Sequence, residues 1–566
     1  MDIVEYIEYI IAAFFLVIVA WYIYDKYVQR KHQLLINYPI IGRMRYFFEA
    51  VREPFRQYFA NEDFYESRDK IDWVYNASKN VPNYVSFSTG QPQPLPKFQI
   101  KHSNQVLNDD EVDTDFSVLI GEKREQPFKT KSIIYRSAMS DGAISPEGTR
   151  AFVIGANEGN FTINTGEGSL TSNFFVTHSN HGGDEYMENI PITGINRTIY
   201  MITSKLFNRA VALKVLRSLL LTKETYDTYV IDFDSLIFFR PNWSLPLKVF
   251  PKKVPEDMPD IMYQISSGLY GCRDKEGNFD EERYQKVMSF CKATEIKIAQ
   301  GAKQTGGKLM ASKVTSAIAY YRGLEPHKDI FSPNRFPYAK TTQDLFDFVG
   351  KLQKLSKKPV GFKIVISSRD NIEDIAKEIK RRRDEKLDGI PDFITIDGGD
   401  GGSATAPLEL MDRVGLPVKD AIFITNSVLK EYGVRDEVKL LASSKILTPD
   451  DMAIALALGA DMVGIARGFM MSAGCIRARE CSGSRGRSCP IGLATQNPKK
   501  RAAYLVTKES KKIANYHKNL LKGLKTVLAV TGRKSYRDLC KNDLQFIDKN
   551  GFVHNDVNRY YRDKIR

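Results

Sequence analysis

Residues Asp392–Pro407 read DFITIDGGDGGSATAP. A short apolar run ends on Asp397 and opens into four glycines around Asp400, which is the signal of a strand followed by a tight, backbone-exposing loop. Glycines placed there let main-chain N–H groups come close to an anion or a flat ring. Seven other stretches have the same build: SIIYRSAMS, NFTINTG, DIMYQISSG, TEIKIAQG, PVGFKIVIS, EVKLLASS and DMVGIARG. Helix-like segments such as Asn371–Lys386 and Thr448–Leu458 separate the later ones. Eight strand signals with intervening helices predict an α/β fold, a (β/α)8 TIM barrel whose active site lies at the carboxyl ends of the strands. An open doubly wound sheet is the other arrangement that this pattern allows.

Three loops at those strand ends carry phosphate chemistry. The glycines of the opening stretch include Gly401 and Gly402; ASSKILT (Ala442–Thr448) sets Ser443, Ser444 and Lys445 ahead of a helix; GIARGFM (Gly464–Met470) adds Arg467. Amide donors, hydroxyls and cations on successive loops of a barrel suit a phosphorylated cofactor such as FMN. QGAKQTGGK (Gln300–Lys308) brings an amide, Lys303 and Lys308 to the fourth strand end, where a lysine can hold a reduced flavin's negative edge or a substrate carboxylate. Its pattern fails the phosphate-loop template, because Ala302 stands where the first glycine is needed and Leu309 follows Lys308. Lys363 on the fifth run is a further inward candidate. NTGEG (Asn164–Gly168) supplies Glu167, a carboxylate able to orient an ammonium or an imine.

Beyond the eighth run, GCIRARECSGSRGRSCPIG holds Cys475, Cys481 and Cys489, three of the chain's six cysteines. Soft ligands at this spacing suit an iron–sulfur cluster or zinc, or the thiols carry no metal. Structural zinc takes about four ligands, and His517, the nearest histidine, lies well beyond Cys489.

The formal net charge of +14 is concentrated at one end, since residues 496–566 hold 18 Lys or Arg against 6 Asp or Glu. No sequence-specific nucleic-acid motif accompanies it, so nucleic acid is not an expected partner. The amino-terminal IEYIIAAFFLVIVAWYIY (Ile7–Tyr24) is nearly uniformly apolar, and as a helix it reaches roughly 27 Å, close to the hydrocarbon thickness of a bilayer. The segment begins with Asp2, Glu5 and Glu8, aromatic residues close it, and Lys26, Arg30, Lys31 and Arg43 follow. The expectation is a retained single-pass anchor in membrane lipid with the rest of the chain in the cytoplasm. The organisation expected is an anchor (1–32), a juxtamembrane cap (33–125), a barrel (126–496) interrupted by an insertion at about 178–253, and a basic helical extension (497–566). In that extension Ile513, Tyr516, Leu520, Leu524 and Val527 recur at helical spacing, with Gly532 as the stop.

The stretches SAMSDGAIS, NTGEG, EIKIAQGAK, DFITIDGGDGGSATAPLELMDRVGLP, KLLASSKILTPDDMAIALALGADMVGIARGFM and GCIRAREC…CPIGLATQ occur in one order from Ser137 to Gln496. Together they resemble the FMN-binding synthase domain of glutamate synthase and its short relatives. The resemblance implies FMN surrounded by Ser137, Ser140, Gln300, Lys303, Lys363, Gly401, Gly402, Ser443, Ser444 and Lys445. It implies a [3Fe-4S] cluster on Cys475, Cys481 and Cys489, and Glu167, Gln300 and Lys303 facing the substrate. The implied reaction joins 2-oxoglutarate and ammonia to 2-iminoglutarate and reduces it to L-glutamate, with electrons from a separate donor, a ferredoxin or an NAD(P)H reductase. This chain departs from the family in the Cys481–Cys489 gap, which SGSRGRS fills and which is about three residues longer than the family's, and in Asp141, where an aromatic is usual. The chain opens Met1–Asp2 and not on the family's nucleophilic cysteine, so glutamine hydrolysis is expected to need a separate amidotransferase. An α-hydroxy-acid oxidase would need a histidine base at a strand end, and none of the seven histidines is so placed. A membrane electron carrier that keeps flavin and cluster without a substrate is the remaining alternative.

Overall fold

The computed structural model describes residues 3–50, 67–84, 98–175, 187–191, 193–220, 230–232, 237–241, 254–304, 306–407, 409–478, 480–483, 488–501, 503–547 and 552–558. Eight parallel strands close into a barrel in chain order: β1 (Ile134–Arg136), β2 (Thr162–Asn164), β3 (Ile261–Ile265), β4 (Ala293–Lys297), β5 (Val360–Ile364), β6 (Phe393–Asp397), β7 (Lys439–Ser443) and β8 (Met462–Ile465). They are the eight runs singled out from the sequence. Because β8 pairs with β1, the sheet has no edge, and the open doubly wound arrangement is excluded.

The barrel interior is polar at its centre. Glu295 of β4 is 1% exposed. Its Oε1 accepts from Asn164 Nδ2 of β2 at 2.9 Å and Gln264 Nε2 of β3 at 2.6 Å, and its Oε2 accepts from Thr395 Oγ1 of β6 at 2.6 Å. Arg136 of β1, equally buried, donates to the Asn164 carbonyl at 2.6 Å. Each of these groups would carry a desolvation penalty if left unpaired, so the network ties strands on different sides of the barrel to one carboxylate.

The helix Val506–Thr531 closes one flank. Ile513, Tyr516, Leu520 and Leu524 are fully buried while Lys511, Lys518 and Lys522 face outward. Gly532 ends the helix at φ +70°, the left-handed cap that glycine adopts without strain. The neighbouring helix Arg68–Ser78 packs on it, with Trp73 edge-on to Tyr516 and Asn519 donating to the Ala77 carbonyl at 2.9 Å.

At the amino end, the helix Ile3–Ile23 is exposed from Ile11 to its end except at the half-buried Ile18; Phe14, Phe15 and Leu16 are 67%, 67% and 68% exposed. Just beyond it, Asp25 is wholly buried and receives Arg43 Nη2 at 2.5 Å, Arg43 Nε at 2.9 Å and the Ile40 amide at 3.0 Å. Arg43 also lies 5.1 Å from the centre of the Trp21 ring. A bidentate ion pair on a buried carboxylate therefore fastens the end of this helix to the helix Ile41–Ala50, and the stretch between them is tied to the body by Gln33 donating to Glu509 Oε1 at 2.5 Å and Asn37 donating to the Pro490 carbonyl at 2.7 Å.

His517 gives the carboxy-terminal helix a pH dependence. Its Nε2 sits 2.9 Å from Ser132 Oγ and its ring stacks 4.6 Å from Phe161. Burial, reinforced by the charge of Lys518, holds its pKa down to about 3 from an ordinary 6.5. The folded state keeps the imidazole neutral and the unfolded state protonates it. Its contribution to stability is complete above pH 6.5 and is lost as pH falls from there toward 3. Melting curves taken across that window should show stability falling by about 1.4 kcal/mol per pH unit from this group. The variant His517→Gln should flatten the slope; an unchanged slope would show that the imidazole is not its source.

Candidate active site

The carboxyl ends of the strands set two clusters facing each other across one barrel mouth. Strand register fixes the neighbours: Lys297 of β4 stands beside Lys363 of β5, and Asp397 of β6 beside Ser443 of β7. Ser443 Oγ is 3.0 Å from Ser137 Oγ, which follows β1, and the Ser137 amide donates to the β8 carbonyl of Ile465 at 3.0 Å. Ser140 lies in the same loop, where its carbonyl accepts the amides of Ala143 and Ile144, both at 3.1 Å.

The first cluster is built on β6, β7 and β8. Asp397 accepts the Gly301 amide at 3.0 Å and stands 4.0 Å from Lys363 Nζ. Burial raises its pKa and Lys363 opposes that rise. Ser444 and Lys445 both hold positive φ, 127° and 44°, an uncommon backbone for residues with a Cβ and one that costs free energy. That turn brings the Ser444 hydroxyl against Gly401, where an added Cβ would lie 3.0 Å from Oγ. The buried Ser444 Oγ has no hydrogen-bond partner. An added Cβ on Gly402 would lie 2.9 Å from Arg467 Nη2, so the absence of a side chain there keeps the guanidinium approachable. An unsatisfied hydroxyl, bare glycine backbone and the cations Lys445 and Arg467 on converging loops fit the phosphate of FMN.

The second cluster is built on β2 and β4. Glu167 Oε2 accepts from Lys297 Nζ at 2.8 Å. Burial alone would raise the Glu167 pKa, but Lys297, Lys303 and Arg322 together bring it down to about 2. Lys303 is 4% exposed and donates to Thr405 Oγ1 at 3.2 Å; burial lowers its pKa, with Glu167 pulling up and Lys297 pushing down. Gln300 is half-buried, its backbone paired with Lys303. Lys308 turns outward, 3.9 Å from Asp329 and 4.9 Å from the Phe331 ring centre, so only one of the two lysines of QGAKQTGGK enters the mouth. Lys297 is the main residue that sequence reasoning passed over. As the last residue of a strand it carried a signal, since strand ends build the site.

Asp141 occupies a closed socket: Thr171 Oγ1 donates at 2.5 Å, Asn173 Nδ2 at 2.6 Å, Thr149 Oγ1 at 3.0 Å and the Gly142 amide at 3.1 Å. It organises the loop after β1 and does not face the mouth as an open carboxylate.

The three cysteines lie on the segment after β8. Cys489 is buried and Cys475 and Cys481 half-buried. Burial pushes the Cys475 thiol up to about 12, and the charges of Cys481 and Cys489 add to that. The thiols thus sense one another, yet among the described residues no three His, Cys, Asp or Glu side chains form a group that holds one metal ion. Residues 484–487, in the lengthened part of the loop, lie outside the described residues. Lys313, unforeseen in the sequence, anchors the segment: its buried ammonium donates to the carbonyls of Cys481 at 2.6 Å, Ala143 at 3.1 Å and Ala494 at 3.1 Å. His517, committed to Ser132 and Phe161, is not a fourth ligand.

Residues 83–534 match the family model of the conserved region in glutamate synthase. A glutamate synthase large subunit-like protein, YerD, of Bacillus subtilis is 30% identical over 590 aligned residues, covering 95% of this chain and 94% of that protein. The archaeal glutamate synthase (NADPH) of Methanocaldococcus jannaschii is 32% identical over 295 residues, covering 52% of this chain and 53% of its own. The glutamate synthase (NADPH) large chain of Azospirillum brasilense is 28% identical over 314 residues, which cover 55% of this chain and 19% of its own. The chain therefore matches about half of the archaeal protein and about a fifth of the large chain.

The Glu167–Lys297 pair is largely buried, at 18% and 5% side-chain exposure. Removing one partner of a buried pair costs about 3–5 kcal/mol. Lys297→Met should lower stability at the lower end of that range, because Lys303 still faces the carboxylate. A denaturant midpoint unchanged from the parent would show that the pair contributes nothing.

Proposed function

Because the chain belongs to the glutamate synthase family, we propose that it catalyses the reductive amination of 2-oxoglutarate by ammonia to L-glutamate, with FMN as resident cofactor and electrons from a separate donor. The observation that carries this reading is the pairing, at one barrel mouth, of a cation- and glycine-lined cradle with the Glu167–Lys297–Lys303 cluster. The first suits a phosphate and the second suits a small dicarboxylate that gains an amine.

In this reading Ser137, Ser140, Gln300, Lys363, Gly401, Gly402, Ser443, Ser444, Lys445 and Arg467 hold FMN. Bound there, FMN supplies hydride chemistry at C2 of the substrate. Lys303 holds a substrate carboxylate as a charge-assisted hydrogen bond. Glu167, with its pKa near 2, stays ionised at neutral pH, so it accepts N–H bonds from ammonia or the imine and is not the proton donor. Lys297 fixes the Glu167 carboxylate, and Gln300 and Lys303 border the substrate on the other side. Orientation of this kind lowers the barrier by holding the reacting groups in line before the step.

The cysteines extend the proposal. Three thiolates without a fourth His or carboxylate suit a three-iron cluster better than structural zinc, so Cys475, Cys481 and Cys489 would hold [3Fe-4S], which supplies one-electron transfer from a ferredoxin or an NAD(P)H reductase. A separate amidotransferase would supply ammonia from glutamine. The exposed apolar helix Ile3–Ile23 supports a single-pass anchor in membrane lipid, with the barrel on the cytoplasmic side.

Anaerobically reduced protein should be reoxidised by 2-oxoglutarate plus ammonia, with 15N-ammonia appearing in glutamate; reoxidation no faster than the substrate-free control would overturn the assignment. Lys303→Met should raise KM for 2-oxoglutarate about tenfold or more, the worth of a hydrogen bond to a charged group.

The cofactors are checked by content. Anaerobically purified protein should carry about three irons per FMN. Cys481→Ser should lose the iron and keep the flavin; zinc in place of iron, or no metal, would refute the cluster.

A further inference from the structure

The connection between β2 and β3 holds two helices, Gly194–Leu206 and Arg209–Leu220, that the reaction above does not use. We propose that this helix pair, with the helix Ile41–Ala50, lies in the headgroup layer of an anionic phospholipid bilayer and forms a second membrane contact beside the anchor. The proposal rests on the anchor reading given above and goes beyond it by assigning an occupant to a surface that otherwise faces water.

Exposure and spacing come first. Ile195, Ile202 and Leu206 recur at the spacing of one helix face and are 76%, 53% and 62% exposed. The opposite side of the pair buries Tyr200, Ala212 and Leu216. On Ile41–Ala50, the residues Ile41, Met44 and Phe48 make a like row at 75%, 50% and 50% exposure. Apolar rows of this size on a folded chain mark a contact surface.

Position comes second. The turn between the two helices is fastened to the segment just past the anchor. Asn208 Nδ2 donates to the Lys26 carbonyl at 2.9 Å, Arg30 donates to the Phe207 carbonyl at 3.2 Å, and Phe207 packs edge-on to Tyr27 at 5.0 Å. Ile41–Ala50 is tied to the same place through Arg43 and Asp25. Both rows therefore start where an inserted Ile3–Ile23 would leave the hydrocarbon.

Charge comes third. Residues 194–220 contain Arg197, Lys205, Arg209, Lys214 and Arg217 and no Asp or Glu. Near the anchor's exit, His32 has its pKa lowered by burial and by the surrounding Lys508, Lys512, Lys31 and Lys79, a concentration of positive charge within one patch. Apolar rows flanked by cations are the composition of helices that rest in a bilayer interface and favour anionic lipid. A second copy of this chain would bring the same cations against each other, which argues for lipid over self-association.

The test uses the full chain in phosphatidylglycerol vesicles, with the photo-crosslinker p-benzoylphenylalanine placed singly at Ile202, Leu206, Phe48, Phe14 and, on an outer barrel helix, Asp374. Lipid adducts at Ile202, Leu206 and Phe48 severalfold above those at Asp374 are expected. They should fall when Arg197 and Lys205 are both changed to Glu, while the Phe14 yield holds. Adducts at Phe14 without adducts at the other three, or protein–protein adducts at those three, would overturn the proposal and leave the anchor in place. Absence of adducts at Phe14 as well would remove the anchor itself, and the proposal with it.

Discussion

One carboxylate at the centre of the barrel sets the geometry of everything above it. Glu295 takes hydrogen bonds from β2, β3 and β6 while sitting on β4, and in that buried setting a broken bond leaves a polar group unsatisfied. Asn164, held by this network, accepts the Gly166 amide at 2.8 Å, and the next residue is Glu167. Lys297 leaves the same strand as Glu295, two positions on, and meets Glu167. The interior network and the candidate substrate cluster are thus consecutive layers, and the lower one fixes the spacing of the upper.

This layering explains why the site is asymmetric. The cradle of β6, β7 and β8 is made from backbone, hydroxyls and strained turns, with Ser444 and Lys445 held at positive φ. The cluster of β2 and β4 is made from charge, with Glu167 set between lysines. Under the proposed assignment, backbone donors and an unpartnered hydroxyl hold the group that stays bound. Paired charges would then serve the one that arrives and leaves, since Lys297 can hold Glu167 ionised while the site is empty.

How much of this was legible in the sequence follows from periodicity and reach. All eight strands were readable because each is a short apolar run closed by Gly, Ser or a charged residue, and the carboxy-terminal helix because its apolar residues keep one face with Gly532 as the stop. Ser443, Gly401 and Lys303 were legible because strand ends announce themselves. Lys297, Lys313 and Glu295 were not. Each acts through partners far away in the chain, Glu167, Cys481 and Thr395 among them, and no local pattern encodes a contact closed only by the barrel. Lys308 and Lys303 look alike in sequence, yet one is exposed and one is buried, a difference set by the turn between them.

The ion pair of Asp25 and Arg43 is small, but it closes the turn by which the amino-terminal helix leads into the rest of the chain. In the anchored arrangement proposed above, a flexible tether would let the barrel tumble beneath its membrane helix. A joint closed by that bidentate pair and tied to the body through Gln33 and Asn37 restricts that tumbling, so that a chain anchored as proposed would hold its mouth at one tilt and one height. The separate electron donor of the proposed reaction would then meet a target whose attitude is already set, and productive collisions would be selected by the direction of approach before any surface on the partner is read.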